Sequence, residues 1–167
     1  MSSRSFMFSA IVCMATLIAG AVWAESKDHY PQPDAKAFWE YVTEVDPYEG
    51  WGFWPGHVGM YEGQSPHGAY LKFYANSVAL KAIRKGTRPL PNGSILMKAN
   101  YAKDKETLKV LTPMYKVEGY NPEAGDWFWA KYKPDGSVLA SGRVTSCIDC
   151  HKTVQNKDWI FTPPKSE

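Results

Sequence analysis

Cysteine is scarce in this chain, which holds three among 167 residues, at positions 13, 147 and 150. Cys13 lies in an apolar N-terminal stretch, so the pair Cys147 and Cys150 stands alone further on. A disulfide between them would close so short a loop that it would remove little chain entropy. The pair therefore calls for another explanation. Charge of one sign is also lacking: 19 basic residues face 17 acidic ones. That balance gives no case for nucleic acid and no strong field for steering a charged partner. There is no internal repeat, no low-complexity tract, no phosphate-binding loop and no Ser-His-Asp set. With 44% hydrophobic and 22% charged residues the composition is that of a globular protein, which argues against disorder.

A long apolar run occurs only at the start. Arg4 opens a short basic stretch, Phe6 to Val22 is apolar or small, and Val22-Trp23-Ala24 puts small residues at minus three and minus one of a cleavage point. This is the pattern of a secretory signal peptide over residues 1–24. The alternative is an uncleaved anchor. The mature chain, 25–167, is expected to begin near Glu25 and to form a single domain. Loss of Arg4 with the leader leaves it close to neutral. Its compartment would be the periplasm.

Aromatic side chains, by contrast, are abundant, with seven Trp and ten Tyr. They can wall a flat apolar cofactor, although filling an ordinary core is the default role. Asp34 is placed to cap a helix from Ala35 to about Glu44, stopped by Asp46-Pro47. Tyr48 to Gly68, rich in Gly, Trp, Pro and His, reads as a long ordered loop. A strand follows at Ala69–Ala75, then a helix capped by Asn76 and running to Arg84, with Gly86 ending it. Further strands are expected over 94–101, 108–118, 126–133 and 137–140, and a last helix over 144–155. Successive strands with no helix between them imply an antiparallel sheet. The class is α+β: a mostly antiparallel sheet with flanking helices, the C-terminal one carrying the Cys pair.

Cys147-Ile148-Asp149-Cys150-His151 is a C-x-x-C-H segment, which in an exported chain fits covalent haem attachment. Two thiols three residues apart can reach two neighbouring vinyl groups of one porphyrin. The imidazole after the second thiol can reach the iron, so His151 is the candidate metal ligand. Competing readings fit less well. Structural zinc needs four ligands, and only His29, His57 and His67 remain to join. A thioredoxin-like motif needs a parallel βαβ context that is missing. A bare disulfide leaves His151 unexplained.

The chain from Trp51 to Phe161 resembles the cytochrome P-460 and cytochrome c′-beta family of periplasmic haem proteins. The likeness rests on ordered pieces: Pro66-His67-Gly68, Tyr74-Ala75-Asn76, Pro91-Asn92-Gly93 before Ile95-Leu96-Met97-Lys98, Gly125-Asp126-Trp127-Phe128, the haem motif, and Asp158-Trp159-Ile160-Phe161. The resemblance implies one haem c bound by one His, often in a homodimer, with the opposite iron face open to a small gas or nitrogen substrate. Members of one type oxidise hydroxylamine and carry a lysine-to-porphyrin cross-link; an oxidase of that kind here would pass its electrons onward to a redox partner protein. Members of the other bind nitric oxide or carbon monoxide without the link.

Lys98 matches the cross-linking lysine, although Ala99 stands where the family's common pattern has an acid. The plainer reading of Lys98 is a strand-end lysine with its stem buried and its amine in water. A sixth ligand would make the protein an electron carrier, and Met60, Met97, Met114, His57 and His67 are the candidates. An open face is the expectation. Arg143 and Lys152 are candidates for pairing with haem propionates, and Glu118, Glu123 and Asp126 for proton transfer.

Overall fold

The computed structural model describes residues 30–163; the expected signal peptide lies outside them. Asp34 caps α1 (Ala35–Glu40), its carboxylate accepting the backbone N–H groups of Lys36 and Ala37. The helix widens into a π-helical turn over Tyr41–Val45 before Asp46-Pro47 ends it. Seven strands follow: β1 (Gly52–Phe53), β2 (Met60–Glu62), β3 (Tyr70–Ala75), β4 (Ile95–Tyr101), β5 (Leu108–Lys116), β6 (Trp127–Tyr132) and β7 (Val138–Gly142). Helix α2 (Ser77–Arg84) joins β3 to β4, and α3 (Thr145–His151) follows β7. Every pairing is antiparallel in one sheet of order β1-β3-β4-β5-β6-β7, with β2 also on β3. The α+β class is thus observed. The expected loop over 48–68 is corrected in part, because β1 and β2 lie within it and add to the outer edge of β3.

Both faces of the sheet are covered, which explains why β4 reads as an unbroken apolar run, Ile95-Leu96-Met97, instead of an alternating one. On one face Phe38 and Val42 of the first helical segment pack on Ile95, Met97, Ala99, Tyr115, Phe128 and Tyr132. On the other, α2 and the C-terminal residues Trp159 and Ile160 pack on Phe73, Leu96, Met114, Trp127 and Trp129. Alternation along β4 puts Leu96, Lys98 and Asn100 on this second face. Lys98 pairs across the ladder with Phe73 on β3 and Thr112 on β5.

Asn76 holds the β3–α2 corner. Its side-chain oxygen accepts from Ala79 N–H (3.0 Å) and Ile95 N–H (3.1 Å), and its amide donates to the Gly93 carbonyl (2.9 Å). One buried side chain thereby caps a helix and closes the end of β4. Asn76→Ala removes the cap and strands buried backbone groups, so it is expected to cost roughly 2–4 kcal/mol. A lower urea midpoint with an unchanged denaturation slope is the expected result, and an unchanged midpoint would contradict it.

Candidate functional site

The last helical segment is shorter than the expected 144–155. Helix α3 ends at His151, a 3₁₀ turn follows over Lys152–Lys157, and Val154 leaves helical geometry altogether (φ −121°). Asp158 and Trp159 then adopt left-handed backbone, φ 58° and 64°. This reversal brings the Trp159 carbonyl back onto His151, which donates to it from Nδ1 at 2.6 Å. With Nδ1 committed, Nε2 keeps the free lone pair that metal ligation requires. The ring is packed edge-on between Trp129 (4.6 Å between centroids) and Phe161 (5.0 Å) and is 6% exposed. Burial, with the Lys98 charge as a smaller cause, lowers its pKa to about 4 against the Trp159 hydrogen bond. The imidazole is neutral at pH 7.

Cys147 and Cys150 are both free thiols, and α3 sets them nearly one turn apart. They line, with His151, a cavity of about 400 Å³ whose walls include Phe73, Leu96, Met114 and Trp129. A second cavity of about 310 Å³ shares Pro66, His67, Lys98, Cys150 and His151 with the first. Volumes of this order suit a cofactor-sized ligand. Among the described residues no cluster of three or more His, Cys, Asp or Glu side chains is placed to hold a bare metal ion.

Lys98 lines both cavities and is 7% exposed, which overturns the reading of an amine in water. Its Nζ lies over the Phe73 ring, 5.0 Å from the centroid, and burial lowers its pKa to about 8, with Cys150 acting the other way. Among the described residues no carboxylate pairs with it. A buried cation met only by an aromatic face is costly unless something else completes its surroundings.

His67 is the residue whose weight the sequence understated. Asn100 Oδ1 accepts from Gly68 N–H (3.0 Å) and from His67 Nδ1 (3.1 Å), while Asn100 Nδ2 donates to Lys98 O, Val110 O and Thr112 Oγ1. That leaves His67 Nε2 free as well. Gly68 permits the close approach, since a Cβ there would stand 2.8 Å from the Tyr101 carbonyl oxygen. The His67 and His151 ring centroids are 6.5 Å apart. Burial and the Lys98 charge lower the His67 pKa to about 4.

Of the other candidate sixth ligands, Met114 lines the larger cavity; Met60, Met97 and His57 line neither, Met97 being on the opposite sheet face. Arg143 and Lys152 do not line the cavities, and Arg143 instead donates to the Tyr120 carbonyl and covers that ring. The exposed lysines on the wall are Lys109, the extra residue where the β4–β5 register shifts, and Lys131, which alternation on β6 puts on the same face as Trp129. Glu118, Glu123 and Asp126 are likewise absent from these walls; the carboxylate there is Glu62.

The donor set fits a haem: two unpaired thiols, a neutral imidazole with one nitrogen free, apolar walls and an unpaired buried cation. Without a haem the cation is a liability. In a haem-free Cys147→Ala/Cys150→Ala background, Lys98→Met is expected to stabilise the fold by roughly 1–4 kcal/mol at pH 7. The lysine pKa falls from 10.5 unfolded to about 8 folded, so its cost is full below pH 8 and disappears as the pH rises to 10.5. Urea midpoints across that range should converge for the two proteins; equal midpoints at pH 7 would contradict the assignment.

A family model described as cytochrome P460 matches residues 46–162. No curated protein matches the chain.

Proposed function

The chain belongs to the cytochrome P460 family and is accordingly a haem protein, and on that premise we propose that it carries one haem c. The haem would be joined to Cys147 and Cys150 by thioethers and ligated by His151, its open iron face taking nitric oxide, hydroxylamine or a similar small nitrogen species. The observation that carries this reading is the His151 ring, held through Nδ1 with Nε2 free, beside two free thiols on a shared cavity wall.

When bound, haem supplies the ligand-binding and electron-accepting centre. The protein's part is positioning and environment. Phe73, Leu96, Met114 and Trp129 keep water from the porphyrin. Lys109 and Lys131, at the exposed edge, suit the propionates. Burial, and the lack of an acidic partner among the described residues, support Lys98 as a residue that would meet the haem. His67 Nε2 can accept a hydrogen bond from an N–H or O–H of the ligand. The signal-like start supports export to the periplasm, the family resemblance supports assembly as a homodimer, and an oxidase would hand its electrons to a redox partner protein.

A second reading has its own observation. His67 and His151, each with Nε2 free and 6.5 Å apart, lie close enough to serve one iron from two sides, which would make the protein an electron carrier.

Ferrous protein purified from an exporting host is expected to give a high-spin spectrum that shifts on adding carbon monoxide or nitric oxide. A low-spin spectrum indifferent to both gases, made responsive by His67→Leu, would replace the first reading with the second. Consumption of hydroxylamine, with porphyrin mass on the Lys98 peptide, selects the oxidase; gas binding with an unmodified peptide selects the binding protein.

A further inference from the structure

Asp158 is fixed from three directions. Its Oδ1 accepts from Lys116 Nζ (2.5 Å), its Oδ2 from Leu90 N–H (2.7 Å), and its carbonyl oxygen from Trp127 Nε1 (3.0 Å). Lys116 in turn donates to the Gly125 carbonyl (2.7 Å) and lies 4.2 Å from the Trp127 ring centroid. Both members of the ion pair are buried, at 5% and 8% exposed. Replacing such a pair with apolar residues is often neutral or stabilising, so stability alone is a weak reason for its presence.

The pair's place in the chain suggests a different reason. Asp158 and Trp159 are consecutive non-glycine residues with left-handed backbone, which costs about 1–2 kcal/mol for each residue. The next carbonyl after the anchored Asp158 is that of Trp159, the acceptor for His151 Nδ1. Gly125 keeps the Trp159 ring close, since a Cβ there would stand 2.6 Å from Trp159 Cδ1.

We propose that the buried Lys116–Asp158 pair is a positioning device for His151, holding the Trp159 carbonyl on Nδ1 and so setting the orientation and basicity of the iron-ligating imidazole. The inference rests on the reading of His151 as the haem ligand. A histidine ligand that donates its second N–H to a fixed acceptor is more basic and stabilises the higher oxidation state of the metal. Neither Lys116 nor Asp158 lines either cavity, so the pair would act on the imidazole only through the Trp159 carbonyl.

The test uses haem-loaded protein, with Lys116→Met/Asp158→Asn leaving no buried charge unpaired and Lys116→Arg keeping the pair. The double variant is expected to raise the reduction potential and lower the ferrous iron–histidine stretching frequency. Lys116→Arg should return both towards the parent values. Phe38→Ala, on the opposite sheet face, serves as the control: it should lower stability without moving either signal. If the double variant does not accumulate, Asp158→Asn alone is read in the same way. Parent values for both signals in a haem-loaded variant without the Lys116–Asp158 pair would overturn the positioning role. A parent chain that emerges without haem would overturn the underlying reading instead.

Discussion

A sheet covered on both faces is the constraint from which the rest of this structure follows. Helix α1 and the π-helical turn after it cover one face, with Phe38 and Val42 fully buried against β4, β5 and β6. The other face is covered in part by α2 and by the C-terminal residues Trp159 and Ile160, and a hollow remains between α3 and the strands from β3 to β7. Strand alternation then decides what lines that hollow. Leu96, Lys98 and Asn100 must face it because Ile95, Met97 and Ala99 face α1. A one-residue slip of β4 would bury Lys98 among the rings of the α1 face and put Met97 in the cavity.

The C-terminal segment completes the site by a different route. The cysteines and His151 are local to one short helix, but the acceptor that commits His151 Nδ1 comes from beyond a backbone reversal. That reversal has no glycine to ease it. Its cost is offset by the contacts of Asp158 with Lys116, Leu90 and Trp127. Lys116 belongs to β5 and Trp127 to β6, so the sheet itself holds the hinge on which the imidazole depends.

What could be read from the sequence divides along the same line. The strands from β3 onward and both helix caps were legible because their signals are local: alternation, Asp34 and Asn76 as caps, Gly86 at a helix end. Strands β1 and β2 were not, since two or three residues in a loop rich in Gly and Pro carry no period, and only pairing with β3 defines them. The attachment motif was legible because its spacing is its chemistry. The burial of Lys98 was not, because alternation fixes a face but not how deeply that face is covered. The same holds for Lys109 and Lys131 against Arg143 and Lys152: nearness in sequence to the motif is no guide to which cations border the cavity. His67, in the loop between β2 and β3, owes its placement to Asn100, a partner 33 residues away on β4.

The hollow is proposed to hold a porphyrin bonded to the chain at two sulfurs. Intact mass spectrometry of protein exported by a host able to mature c-type cytochromes tests it most directly. The account predicts a mass above that of the processed polypeptide by one haem, which survives denaturation and is lost in Cys147→Ala/Cys150→Ala. A polypeptide mass with nothing added would contradict it.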